Sequence, residues 1–154
     1  MGLFREYDLR GIVGTELTEE LAERVGLAYA TYAHKHGVKT ISVGRDGRLS
    51  SPALHQALLK GLLAGGMDVV DIGICSSPLV YFSLFTLPVS GGIMITGSHN
   101  AAEYNGFKIC LGKTAIHGDD IQELRRVMEA GVFASGHGRL SEYPIIPDYL
   151  AYIK

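Results

Sequence analysis

Apolar positions in this chain follow helical and strand spacing by turns. Residues 4–14 have no clear period and carry charges and two glycines. Thr18 then precedes Glu19 and Glu20, acids that suit a first helical turn, and Leu21, Val25, Ala28, Tyr29 and Tyr32 fall on one face. Gly37 is a fitting stop. Residues 38–44 read as a short apolar strand, bounded by Arg45-Asp46-Gly47-Arg48. Ser51-Pro52 opens a second helix with Leu54, Leu58 and Leu62 as its buried stripe, closed by Gly65-Gly66. A strand at 68–73 follows, and Ser77-Pro78 repeats the start signal for a helix that runs to about Leu87. Strands are predicted at 92–96 and 107–111, then a helix capped by Asp119 with Ile121, Leu124 and Met128 on one face. Residues 131–138 form a glycine-containing link, and 143–154 hold two prolines and an amphipathic start.

This alternation predicts an α/β domain, three layers α/β/α, around a mainly parallel, mixed sheet of four strands. Ligands of open sheets sit beyond the carboxyl ends of the strands. Three polar, glycine-containing clusters fall there: 44–48, 73–78 and 97–100. They predict the site before any particular chemistry is considered.

Composition narrows the picture. The 154 residues suit one domain, and 47% apolar with 19% charged residues is a globular balance. A net charge of −2, no Trp and no interleaving of aromatic with basic residues argue against a nucleic-acid partner. No apolar run approaches the roughly 18 residues of a membrane span, and the start lacks a signal-peptide core. Cys75 and Cys110, the only cysteines, read as free thiols in a reducing cytoplasm.

Ser98 is the candidate reactive group. It follows the apolar run Ile93-Met94-Ile95, and Gly97 before it permits a tight turn. His99 could support a phosphate or move a proton, but chain neighbours point apart, so Ser98-His99 is not a hydrolase nucleophile–base pair. The nucleophile-elbow pattern is also absent, since position 100 is Asn. Gly112-Lys113-Thr114 fails as a nucleotide-binding P-loop, because the glycine it needs at 107 is Phe. Arg5, Arg10, Arg45, Arg48 and Lys108 are cations in or beside turns. Each reads either as a phosphate contact or as a solvated charge, with Arg45 and Asp46 as a possible pair. No histidine spacing suggests a metal site.

Four segments, in order, resemble the α-D-phosphohexomutases, specifically domain 1 of the bacterial phosphomannomutase/phosphoglucomutase group. They are Phe4-Arg5-Glu6-Tyr7-Asp8-Leu9-Arg10-Gly11; Val43-Gly44-Arg45-Asp46-Gly47-Arg48-Leu49-Ser50-Ser51; Asp71-Ile72-Gly73 with Ser77-Pro78; and Gly92 through Thr96-Gly97-Ser98-His99-Asn100 to Tyr104-Asn105-Gly106-Phe107-Lys108. The resemblance implies that Ser98 carries a phosphoryl group. It would exchange that group with a hexose phosphate, so that phosphate moves between C1 and C6 through a hexose 1,6-bisphosphate. Arg10 and Lys108 would stabilise charge and assist proton transfer, with His99 in support. Tyr7, Asn100 and Arg5 would contact substrate or phosphate. The family's Mg²⁺ would touch Ser98 only through its phosphate, its other ligands lying in a second domain.

Two departures stand out. Ala101 and Ala102 occupy positions where the family commonly has proline, and Leu9 stands for Ile. The expected division is 1–140 as domain 1 and 141–154 as the start of a linker or helix toward an absent second domain. On that reading the chain alone has no turnover, and its partners are the hexose phosphate and the enzyme's remaining domains. The alternative from another class is a stand-alone phosphosugar-binding module of the same fold.

Overall fold

The computed structural model describes residues 3–6 and 8–153. Elements follow the order β1 (Leu9–Ile12), α1 (Glu19–Lys35), β2 (Thr40–Arg45), α2 (Ser51–Ala64), β3 (Asp68–Ile74), α3 (Ser77–Thr86), β4 (Gly91–Ile95), β5 (Tyr104–Leu111), β6 (Thr114–Ala115), α4 (Asp119–Ala130), β7 (Leu140–Glu142) and α5 (Ile145–Tyr152). They form one mixed sheet in the order β1-β5-β4-β2-β3-β7, with β6 on β5. Pairings β4–β2, β2–β3 and β3–β7 are parallel; β1–β5, β5–β4 and β5–β6 are antiparallel. The four strands expected from sequence are the central four. The sheet has seven among the described residues, because β1, β6 and β7 add two to four residues each at its margins. β6 and β7 are wholly exposed, so no apolar alternation marked them.

Strand alternation sorts the core into two faces. Ile41, Val43, Val69, Ile93, Ile95, Phe107 and Ile109 pack with the apolar faces of α1, α2 and α4. Ile72 and Met94 point the other way, onto Leu79 and Val80 of α3 and Ile145 of α5. Three layers result. α1 and α2 cross with unusual closeness at Gly26 and Gly61, where a Cβ would lie 2.5 Å from Leu58 O and 2.0 Å from Glu23 O respectively.

Helix starts follow the sequence signals with small shifts. The Thr18 hydroxyl accepts from Leu21 N–H at 3.1 Å and caps α1. The N-caps of α2 and α3 are Ser50 and Ser76, one residue earlier than expected. Gly118, not Asp119, occupies the N-cap of α4, where its φ of 54° suits a residue without a side chain. The 131–138 link runs along the end of α2, with Gly136 N–H and Gly138 N–H donating to Ala64 O and Leu63 O. No helix among the described residues is long and apolar enough to cross a membrane.

Candidate active site

The carboxyl ends of β2 and β4 and the start of β5 meet at one edge of the sheet. The loop from Thr96 to Glu103 crosses this edge and holds Ser98 at its tip. Ser98 is exposed, its hydroxyl has no partner among the described residues, and its φ is 55°. It is the one residue other than glycine with positive φ among those described, a conformation that side chains disfavour. Its own N–H donates to Thr96 Oγ1 at 2.9 Å, which fixes the backbone but leaves the side chain free.

The loop is held from below by Asp46 and Arg48, in the turn after β2. Arg48 Nη1 donates to Ala101 O (2.8 Å) and Tyr104 O (3.0 Å), and Nη2 to Ser98 O (3.0 Å) and Asn100 O (2.8 Å). Its Nε faces Asp46 Oδ2 at 3.4 Å. Gly97 lies against this guanidinium, and a Cβ there would sit 2.3 Å from Arg48 Cζ. Asp46 in turn accepts from Arg48 N–H, from the Ser51 hydroxyl at 2.6 Å and from Gly97 N–H at 3.2 Å. Buried Asn105, on β5, donates through Nδ2 to the hydroxyls of Ser50 and Ser51 and so ties β5 to the start of α2.

Burial pushes the Asp46 carboxyl up, but hydrogen bonds from Ser51, Arg48, Thr96 and Gly97 together outweigh it and hold the carboxyl below the usual aspartate range. A depressed folded value adds stability that is complete above the unfolded value of about 3.9 and is lost as pH falls through the folded one. The stability gap between wild type and Asp46→Asn is therefore expected to be full at neutral pH and to close below about pH 4. Urea midpoints measured from pH 7 to 2.5 check this, and parallel curves for the two proteins would refute it.

The structure brings several predicted residues to the loop. Arg10, on β1, donates to Asn100 Oδ1 at 2.9 Å and pairs with Asp8 at 3.0 Å. Arg10 lies opposite Gly106 and Lys108 opposite Met94, so both cations stand on the α3 side of the sheet. Lys108 is half-buried, and its ammonium has no hydrogen bond or ion pair among the described residues. His99 is exposed beside Ser98. Arg5 sits in the turn that folds residues 3–5 back on β1, its N–H donating to Asp8 O. Tyr7 lies outside the described residues.

Two readings are corrected. Asp46 pairs with Arg48 rather than Arg45, because consecutive residues leaving a strand point apart. Arg48 spends its fork on backbone carbonyls, so it is neither a simple surface charge nor a free phosphate contact. Sequence reasoning missed the roles of Asp46, Ser51, Thr96 and Asn105. The Asp46–Arg48 spacing is that of an Asx turn, a usable signal. The other three depend on strand order. Cys75 and Cys110 are free, each with its thiol pushed up to about 11 by burial.

A family model described as phosphoglucomutase/phosphomannomutase, alpha/beta/alpha domain I, matches residues 1–135. The chain is 41% identical over 153 residues to a phosphoglucomutase of Neisseria meningitidis serogroup B, covering 98% of this chain and 33% of that protein. It is 40% identical over 152 residues to a phosphomannomutase/phosphoglucomutase of Pseudomonas aeruginosa, covering 99% and 33%. A crystal structure of a phosphoglucomutase/phosphomannomutase family protein from Burkholderia thailandensis superimposes with a TM-score of 0.93 at 38% identity, covering 98% of this chain and 35% of that one. The chain thus spans about a third of the length of the relatives it matches. By the extent of the family match and the closeness of the fold, it belongs to the phosphoglucomutase/phosphomannomutase family, as the α/β/α domain I.

Proposed function

We propose that this chain supplies the phosphoserine domain of a hexose-phosphate mutase, with Ser98 as the group that gives and takes the phosphoryl. The observation that carries the reading is the state of Ser98: an exposed, unengaged hydroxyl on a loop whose backbone is fixed from below. Phosphoryl transfer is catalysed mostly by positioning and electrostatics, and this arrangement supplies positioning. Glucose and mannose phosphates are the substrate class, in keeping with the names of the relatives.

In the first half-reaction the phosphoryl leaves Ser98 Oγ for a hydroxyl of the hexose phosphate. The P–Oγ bond breaks, a P–O bond to the sugar forms, and the sugar hydroxyl's proton ends on Ser98. A hexose 1,6-bisphosphate results. After it reorients, Ser98 takes the other phosphate by the reverse step. Lys108 and Arg10 stabilise the developing charge and help move the proton at the reacting oxygen; Asp8 and Asn100 hold Arg10 in place. His99 and Asn100 flank the phosphate, and Arg5 and Tyr7 contact substrate.

Among the described residues no three His, Cys, Asp or Glu side chains are grouped to hold a metal. Phosphorylated Ser98 offers oxygen donors of the kind Mg²⁺ takes, so this chain would contribute that one ligand and the others would come from elsewhere in the enzyme. Bound there, the ion would neutralise phosphate charge. Residues 1–140 carry the phosphoserine loop, and 141–154 lead toward the enzyme's other domains, in a cytoplasmic protein.

The test is to incubate the complete gene product, dephosphorylated, with glucose 1,6-bisphosphate. It is expected to gain one phosphoryl group on a peptide containing Ser98. Binding without mass gain would favour a phosphosugar-binding module instead, and label on another residue would overturn the mechanism.

A further inference from the structure

The cations of this domain do not all face outward. Arg48 has five N–H groups in a planar fork. Four meet the carbonyls of Ser98, Asn100, Ala101 and Tyr104 at 2.8–3.0 Å, and the fifth faces Asp46. None is left for a substrate phosphate. Three of these carbonyls belong to a loop without regular structure and the fourth to Tyr104, the first residue of β5, and all converge on one side chain that enters from a different strand connection. Asp46 aims that side chain and also accepts from Gly97 N–H, so both ends of the contact share one carboxylate.

We propose that Arg48 is the positioning residue that holds Ser98 in its left-handed backbone conformation, and so determines the direction of its hydroxyl. The inference rests on the reading of Ser98 as phosphoryl carrier. Three observations converge on it. A φ of 55° at a serine needs external restraint, and Ser98 O is one of the four carbonyls held. Gly97 has no Cβ where the guanidinium lies, so the loop backbone rests directly on the cation. Ala101 and Ala102 lack the fixed φ of proline, and Arg48 restrains Ala101 through its carbonyl instead. A lysine could not substitute. Its ammonium is a single point without the fork that spans four acceptors.

The test uses Arg48→Ala and Arg48→Lys in the complete gene product, with two separate readouts. Hydrogen exchange over residues 97–104 is expected to accelerate about 10-fold or more in both variants, with the rest of the domain unchanged. In turnover of glucose 1-phosphate, kcat is expected to fall about 100-fold while KM moves less than about 3-fold. Millimolar methylguanidinium is expected to restore part of kcat to Arg48→Ala and none to Arg48→Lys, whose side chain still fills the slot. A raised KM with kcat intact would make Arg48 a substrate contact and overturn the proposal. So would unchanged exchange in the loop, or exchange accelerated throughout the domain. A loosened loop in a protein whose wild type shows no turnover would instead remove the mutase reading and leave the restraint by Arg48 standing.

Discussion

Ser98→Ala is expected to lower kcat for hexose-phosphate interconversion by about 10⁴-fold or more, the scale seen when a nucleophile is removed from a site that depends on it. The hydroxyls of the supporting network are not free to take over. Thr96 is buried and its hydroxyl is bound to the Ser98 N–H and to Asp46. Ser50 and Ser51 are tied to Asn105 and, for Ser51, to Asp46. His99 is exposed on the same loop, and loss of turnover in Ser98→Ala would show that it does not carry the phosphoryl instead. Stability should barely change, within about 0.5 kcal/mol, because the lost hydroxyl is exposed and makes no contact among the described residues. A turnover assay on the complete gene product and a thermal melt check both halves. Residual turnover above about 1% of wild type would mean that Ser98 is not the carrier.

Why Ser98 was visible in the sequence while its supports were not is a matter of range. A buried apolar strand ending in glycine and a polar run is a local signal, and it located the loop at the end of β4 to within a residue. The helices and the four central strands were legible for the same reason, since each buries one face against the core. The Asp46–Arg48 system is different. Arg48 lies 50 or more positions from the carbonyls it holds. Its role exists only because β2 and β4 are neighbours, which no periodicity states. Asn105 is a similar case: a buried amide in a strand looks like a misfit until Ser50 and Ser51 arrive from α2 to satisfy it. The family resemblance pointed to the residues proposed to react, but not to what holds them.

Gly61→Ala is expected to lower stability by about 2–4 kcal/mol. Two effects oppose each other. In a helix interior, alanine in place of glycine gains about 1 kcal/mol of propensity. Against it, the new Cβ would lie 2.0 Å from Glu23 O, about 1 Å inside the closest contact a real Cβ makes, with Leu27 N at 3.0 Å beyond. Both obstacles are backbone, so no rotamer change relieves them and the helices must separate. Gly26 presents the same problem from the α1 side, against Leu58 O and Leu62 N, so the crossing cannot simply slide. Separation would open the core that α1 and α2 share, including fully buried Val25, Tyr29, Leu58 and Leu62. The clash therefore outweighs the propensity, and a fall in melting temperature of about 5–15 °C is expected for a domain of this size. Gly47→Ala is the control. Nothing lies within 4 Å of a Cβ there, and its melt should stay within about 0.5 kcal/mol of wild type. Equal melts for the two variants would mean that the helices do not cross at backbone contact. The effect should also reach the site. α2 begins at Ser51, whose hydroxyl holds Asp46, and Asp46 aims Arg48 under Ser98. A helix displaced at Gly61 pulls on that chain, so Gly61→Ala should lose turnover below its melting range.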